Sequence, residues 1–190
     1  MEINYKSIYY PPGGILIWIV IYLELFTFGM ALLAMAYYGS LEREVFHESA
    51  QLLNKGIATA NTVLLLTSGF FVARGVHFFK GKEWDKTNNH FLIAMLFGLG
   101  FLALKLVEYY QKIQLGYTMD YNLFFNFYWF LTAFHWLHVL VGIVILYFVR
   151  LSVRKKKDQV ATEDVEAGAA FWHLCDIIWL LLFPIIYLIF

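Results

Sequence analysis

Five long apolar runs constrain what this chain can fold into. At a rise of 1.5 Å per residue, about twenty helical residues cross a bilayer core of about 30 Å. Of the 190 residues, 61% are hydrophobic and 15% are charged, whereas about a quarter of an average soluble domain is charged. The sequence therefore predicts an all-α, polytopic membrane protein with one domain over residues 1–190. Its five transmembrane helices are expected at about 15–38, 56–79, 91–113, 123–150 and 167–190.

The connections between these runs are short and polar. We expect a polar loop over residues 39–55, a short charged loop over 80–89, a turn over 114–122 and a solvated loop over 152–166. Residues 9–14 form a Tyr-Tyr-Pro-Pro-Gly-Gly turn that leads directly into the first run, and no basic segment with a cleavage site precedes it. We therefore interpret the first run as a permanent span.

The charges are balanced, with fourteen basic and fourteen acidic residues. This balance gives no indication of nucleic acid or of an acidic partner. The distribution is uneven: with the N-terminus inside, nine basic residues lie in the inside segments and three in the outside loops. Positive charges favour the cytoplasmic side. We therefore predict a cytoplasmic N-terminus and an external C-terminus.

The fourth run contains two histidines at membrane depth. His135 and His138 are three residues apart, and Gly142 follows four residues later, so all three share one side of a helix. Polar rings in hydrocarbon need partners, and a glycine lets another helix approach closely. This helix is therefore expected inside a bundle. Asn61 and Gly69 in the second run indicate close helix packing for the same reason.

Other ionisable residues also fall within the apolar runs. Lys105 with Glu108, and His173 with Asp176, are three residues apart and can pair along their helices. Glu24 lies in the middle of the first run with no cation within four residues, so it needs protonation or a partner from another helix. From the depths of the two runs, we predict that Glu24 meets His135 or His138 directly or through one water, in a pair that exchanges protons.

Two further features have structural explanations. Arg74 lies near the inner end of its run, where its side chain can reach the phosphate level or contact a lipid headgroup. Cys175 is the single cysteine, so it is interpreted as a small buried residue.

Two histidines three apart on one helix are poorly placed to hold a haem between them, and we expect no metal or haem in this chain.

The histidine run and the last run resemble haem-copper oxidase subunit III. The residues that carry the resemblance are Ala133-Phe134-His135-Trp136-Leu137-His138-Val139-Leu140-Val141-Gly142, Phe171-Trp172-His173-Leu174-Cys175-Asp176-Ile177-Ile178-Trp179-Leu180, Glu166-Ala167, Leu23-Glu24-Leu25-Phe26, Ala60-Asn61-Thr62, Thr67-Ser68-Gly69 and Glu108-Tyr109-Tyr110. They occur in the same order as in the family. The second run departs from the family pattern because it ends in Ala73-Arg74-Gly75-Val76-His77.

This resemblance implies a non-catalytic subunit of an aerobic terminal oxidase. Haem and copper are then expected in partner subunits I and II, and bound phospholipid is expected between the helices. By matching position, the interior polar residues are Glu24, His135 and His138, and Arg150 is a lipid-headgroup candidate. Five spans, where longer members have seven, indicate a bacterial enzyme in the plasma (inner) membrane. The resemblance leaves open the electron donor, cytochrome c or quinol, and membership of a larger respiratory supercomplex.

Three alternatives stay open at this point. An accessory subunit of nitric oxide reductase would have the same fold and a similar length. A proton-coupled transporter would use Glu24 and the histidines, but the sequence contains no inverted repeat or broken pair of helices. A structural scaffold in an unrelated assembly would need only the packing residues.

Overall fold

The computed structural model describes residues 12–190, and its regular structure is helical throughout that part of the chain. Residues 9–11 of the predicted N-terminal turn lie outside the described part. The elements in chain order are α1 (Ile15–Leu41), α2 (Arg43–Gln51), α3 (Lys55–Lys80), α4 (Trp84–Gln114), α5 (Leu123–Lys156), a 3₁₀ turn (Lys157–Gln159) and α6 (Thr162–Tyr187). Five of them, all except α2 and the 3₁₀ turn, are long and apolar enough to cross a membrane. The predicted all-α fold with five spans is therefore confirmed.

The connection between the first two spans differs from the prediction. Most of the expected polar loop over residues 39–55 is the nine-residue helix α2. Its apolar and small residues Phe46, Ser49 and Ala50 are buried, and its charged residues face outward. Spacings of three and four place these buried residues on one side of a helix, which is why so polar a segment is helical. The spans also extend beyond the predicted limits: α4 begins at residue 84 and α5 continues to 156.

Side-chain caps fix where two of the spans begin. The Asn54 carboxamide oxygen accepts from the backbone N–H of Ile57, and the Asn122 oxygen accepts from that of Phe125. Such caps satisfy N–H groups that have no partner inside the helix. The Asn122 amide nitrogen also donates to the Ser49 hydroxyl at 2.7 Å. One asparagine therefore starts α5 and attaches it to α2.

The four helices α3, α4, α5 and α6 form a bundle in which consecutive helices are neighbours and α6 closes the ring against α3. Helix α1 lies outside this ring, against α6 and α5. It contributes Phe28, Leu32 and Met35 to the core, while most of its remaining surface is exposed. At the start of α1, Gly13 has φ +78°, and a Cβ there would lie 2.9 Å from the backbone of Ala167. Only glycine allows this close approach of α1 to α6.

Polar contacts at the ends of the bundle hold neighbouring helices together. Lys80 of α3 forms an ion pair with Glu166 of α6 at 2.6 Å. At the same end, Arg150 of α5 donates from Nε to the Asn88 carbonyl oxygen of α4 at 3.1 Å. At the opposite end, the Lys112 ammonium donates to the carbonyl oxygen of Leu52. These contacts fix the register of the spans, and the apolar core supplies most of the packing between them.

Candidate functional site

The first polar contact at membrane depth joins α1 to α5. Glu24 Oε2 lies 3.1 Å from His138 Nε2, and the two side chains are 19% and 11% exposed. The atoms are at ion-pair distance but are not aligned as a hydrogen bond. The predicted meeting of Glu24 with a histidine of the fourth span is thus present, and the partner is His138.

A hydrogen bond to the backbone determines which ring nitrogen of His138 carries a hydrogen. Its Nδ1 lies 2.8 Å from the Phe134 carbonyl oxygen, which can only accept, so Nδ1 carries a hydrogen. In a neutral imidazole Nε2 then carries no hydrogen, so its lone pair would face a carboxylate oxygen. A proton on Nε2 or on the carboxyl group would make the contact between His138 and Glu24 attractive.

Aromatic side chains surround this contact. The rings of Phe28 and Phe134 lie 5.5 and 4.6 Å from the His138 ring, both edge to face. The Phe171 ring of α6 is stacked on His138 at 6.4 Å. The three phenylalanines give the Glu24–His138 contact apolar surroundings, in which electrostatic interactions are strong.

His135 lies in a different environment from His138. It is fully buried, is stacked on Trp179 at 5.3 Å, and meets the edge of Phe101 at 5.8 Å. Neither of its ring nitrogens has a hydrogen-bond partner among residues 12–190. Trp179 donates from Nε1 to the Thr62 hydroxyl at 2.9 Å, which connects α6 to α3. His135 is therefore an interior packing residue here, and it is not part of the Glu24 contact.

The second polar cluster is a closed network around Lys105 and Glu108. The Lys105 ammonium donates to Glu108 Oε2 at 3.0 Å, to the Tyr187 hydroxyl at 2.6 Å and to the Tyr128 hydroxyl at 3.4 Å. Both tyrosines in turn donate to Glu108 Oε1, at 2.9 Å for Tyr128 and 2.8 Å for Tyr187. All three ammonium hydrogens and both carboxylate oxygens are thus used inside the protein. The predicted Lys105–Glu108 pair is confirmed.

The same ammonium lies among aromatic rings. Lys105 Nζ is 4.9 to 5.5 Å from the ring centroids of Tyr128, Tyr109, Tyr187 and Trp179. Ring faces attract a cation at such distances, most strongly when water is excluded. Together with the carboxylate, these rings offset part of the cost of burying the Lys105 ammonium completely in the bundle.

The third polar pair lies on α6. His173 Nδ1 is 3.0 Å from Asp176 Oδ2, which confirms the predicted pairing along the helix. The Asp176 side chain is mostly buried, and a Cβ on Gly69 of α3 would collide with its carboxylate. Gly69 is therefore a close-packing residue, as expected. His173 is not buried, because 40% of its side chain is exposed on the outer side of α6.

Gly142 and Asn61 also lie where the helices meet. A Cβ on Gly142 would be 2.9 Å from Cε3 of Trp172 in α6, so the indole occupies the space that a side chain would need. Gly98 of α4 approaches the other edge of the same indole. Asn61 is fully buried, and its amide atoms have no hydrogen-bond partner within the described residues.

The two arginine candidates have different surroundings. Arg74 is exposed near the end of α3, and its guanidinium lies 5.0 Å from the centroid of the Phe78 ring. Arg150 is partly buried, and its Nε bonds to α4 as described above. Arg150 therefore has a structural contact that the sequence did not indicate.

Side chains able to ligate a metal do not cluster within residues 12–190. No group of three or more histidine, cysteine, aspartate or glutamate side chains lies together there.

Fold and contacts together define a multi-pass membrane protein in which three pairs of ionisable side chains, Glu24–His138, Lys105–Glu108 and His173–Asp176, form contacts between and along the helices. The family model described as cytochrome c oxidase subunit III matches residues 14–189. The chain therefore belongs to the cytochrome c oxidase subunit III family.

Curated relatives agree with this assignment. Cytochrome c oxidase subunit 3 of Rhipicephalus sanguineus is 31% identical over 135 residues, which is 69% of this chain and 50% of the relative. The corresponding protein of Synechocystis sp. is 30% identical over 131 residues, which is 68% of this chain and 55% of the relative. Cytochrome bo(3) ubiquinol oxidase subunit 3 of Buchnera aphidicola is 28% identical over 142 residues, which is 74% of this chain and 69% of the relative. The matches with the first two span about half of those relatives.

Proposed function

We propose that this chain is a non-catalytic subunit III of a haem-copper terminal oxidase, the complex that reduces oxygen to water and pumps protons in aerobic respiration. The observation that carries the proposal is the family match over residues 14–189. The relatives include subunits of both cytochrome c and ubiquinol oxidases, so either electron donor is compatible with it. These names do not favour the nitric oxide reductase alternative.

In this proposal the haem and copper belong to subunits I and II, and this chain stabilises subunit I. The distribution of polar groups supports such a role. Lys105 and Glu108 are fully occupied by bonds inside the bundle. His135 is fully buried, with Trp179 stacked on its ring and Phe101 in edge contact. The bundle therefore resembles a rigid support more than a reaction centre.

The proposed location is the plasma (inner) membrane of a bacterium, with a cytoplasmic N-terminus. Its support is the distribution of basic residues, because Lys80, Lys82, Lys86 and Arg154 lie at the end of the bundle that would face the cytoplasm. At that end the exposed guanidinium of Arg74 and the partly buried Arg150 are candidate contacts for phospholipid headgroups. Bound phospholipid is part of the proposal.

Glu24 and His138 are the proposed proton-exchange pair. The support is the contact itself: Nδ1 of His138 donates to a carbonyl oxygen, Nε2 faces Glu24 Oε2 at 3.1 Å, and a proton between these two facing atoms would stabilise the contact. A partly exposed pair can release that proton to water or to a neighbouring subunit, which the closed Lys105 network cannot do as readily. Glu108, His135, His173 and Asp176 stay candidates for such exchange.

The experiment that tests the main proposal is purification of the tagged chain from native membranes in mild detergent. We expect stoichiometric recovery of two larger subunits that contain haem and copper. Recovery of the chain without haem proteins, or with a nitric oxide reductase, would show that the proposal is wrong.

The role of the pair is tested by Glu24→Gln in the same complex. Glutamine keeps the shape and offers an amide hydrogen to His138 Nε2, but it cannot titrate. We expect normal assembly with altered turnover during sustained proton pumping, whereas Glu24→Leu should also weaken the packing of α1. Turnover and durability of Glu24→Gln equal to wild type would contradict proton exchange at this pair.

A further inference from the structure

A half-exposed histidine lies near the middle of α6. His173 lies eleven residues after Thr162, the first residue of the helix, which is about 16 Å along the helix axis. It is also seven residues beyond Glu166, the partner of Lys80, and therefore about 10 Å deeper than that charged pair. Yet 40% of its side chain is exposed. In a membrane-spanning helix, a polar ring at this depth requires a partner.

The hydrogen bond to Asp176 fixes how the ring is presented. Nδ1 is engaged with the Asp176 carboxylate at 3.0 Å, so the ring orientation is set from the protein side. Nε2 makes no hydrogen bond to any of residues 12–190. Held in this way, His173 offers one free hydrogen-bonding nitrogen on the outer side of the bundle.

The surroundings of His173 form a continuous strip along α6. Ile177, Leu180 and Leu181 follow at spacings of four, seven and eight residues, and all three are exposed. Those spacings place them on the same side of the helix as His173. The strip therefore consists of apolar residues with one polar atom about 10 Å deeper than the Lys80–Glu166 pair. Histidine is among the side chains that hydrogen-bond across helices in a membrane.

Either a phospholipid or a transmembrane helix could cover this strip, and the depth of His173 decides between them. The polar parts of a phospholipid stay at the edge of the hydrocarbon core, and its acyl chains contain no hydrogen-bonding group. A transmembrane helix can place a hydroxyl or amide side chain at any depth. The chemistry therefore favours a helix over a lipid.

We propose that the strip His173, Ile177, Leu180 and Leu181 is the docking surface for a transmembrane helix of another polypeptide, which hydrogen-bonds to His173 Nε2 through a hydroxyl or amide side chain. Only the source of that helix, a subunit of the oxidase, rests on the proposed function. Asp176 is a positioning residue in this arrangement, because it orients the ring without touching the partner.

The test uses the tagged full chain in its native complex and three variants. His173→Leu keeps a side chain of similar length and removes the hydrogen bond, whereas His173→Gln keeps a group able to form it. Val144→Ala is the matched control, since Val144 is apolar and 47% exposed on α5, outside the strip. An interhelical hydrogen bond in a membrane corresponds to roughly a three- to tenfold change in an equilibrium. We expect His173→Leu to lower the co-purified haem subunit by that factor as detergent is increased, and the other two variants to stay near wild type.

Photo-cross-linking in the complex with native His173 gives an independent result that does not depend on how the His173 variants fold. A benzoylphenylalanine at position 177 is expected to cross-link to a membrane-spanning segment of another polypeptide that carries a hydroxyl or amide residue within one turn of the attachment point. The same probe at Val144, exposed on α5, is the control for labelling of lipid.

Three outcomes would overturn the docking surface: cross-linking at 177 to lipid alone, cross-linking to residues 1–11 of the same chain, or a His173→Leu complex as robust as wild type. Failure of the wild-type chain to recover any haem protein has a different meaning. It would refute the proposed function, and the cross-link at 177 would still decide whether a foreign helix covers the strip.

Discussion

The buried Lys105–Glu108 network allows a quantitative prediction. Lys105→Met keeps the length of the side chain but removes the charge, so the Glu108 carboxylate is left without its cation. Removal of one partner of a buried ion pair costs about 3–5 kcal/mol. Because Glu108 keeps two tyrosine donors, at 2.9 and 2.8 Å, we expect a loss near the lower limit, about 3 kcal/mol.

A second substitution should restore part of this loss. In Lys105→Met/Glu108→Gln no charge is buried, and the glutamine oxygen still accepts from Tyr128 and Tyr187. The remaining cost is the loss of the hydrogen bonds made by the ammonium, about 1–2 kcal/mol in total. The single variant Glu108→Gln, which leaves the lysine charge without its carboxylate, should be as damaging as Lys105→Met. The two substitutions are therefore expected to be strongly non-additive.

The assay is unfolding of the purified full chain in mild detergent by titration with a denaturing detergent, followed by tryptophan fluorescence. Lys55→Met, at an exposed position, is the matched control and should change the free energy of unfolding by less than about 0.5 kcal/mol. If Lys105→Met costs no more than this control, or if the double variant loses the sum of the two single losses, Lys105 and Glu108 are not a charged pair in the folded protein.

Three further predictions concern other parts of the chain. Gly142→Leu should force α5 away from Trp172, cost about 1–3 kcal/mol through overpacking and reduce recovery of the chain in the complex; full recovery would mean that Gly142 does not face α6. Asn122→Ala should cost about 1 kcal/mol in the same unfolding assay through loss of the helix cap, whereas an unchanged midpoint would show that the cap and the Ser49 bond are unimportant. The isolated chain should show no stoichiometric haem absorption band and no bound copper; either signal would contradict placement of the cofactors in the partner subunits.

Local patterns were sufficient to predict the spans and the pairs along single helices. Lys105 with Glu108, and His173 with Asp176, are three residues apart, and that spacing brings side chains together on any helix. Glu24 with His138 required one further step, a comparison of depths in two antiparallel spans. It succeeded because the bilayer core gives membrane helices a common length scale.

Contacts between distant residues could not be predicted in this way. Tyr128 and Tyr187 are 20 and 79 residues from Glu108, and nothing in their own helices indicates that they meet it. The separate environments of His135 and His138 were missed for a related reason. A spacing of three turns the helix by about 300°, so the two rings diverge by about 60°. That angle is enough for one ring to stack on Trp179 and the other to meet α1.

The polar groups of this chain differ in whether their hydrogen-bonding atoms are all used inside the bundle. The Lys105 network closes on itself in the bundle interior, whereas the Glu24–His138 and His173–Asp176 pairs are partly exposed at membrane depth. A partly exposed polar group at membrane depth costs free energy against lipid unless it has a partner. Substitutions in the Lys105 network should therefore change stability with little effect on the turnover of complexes that still assemble. Glu24→Gln should change turnover and His173→Leu should change association, while the unfolding midpoint of the chain stays close to that of wild type in both.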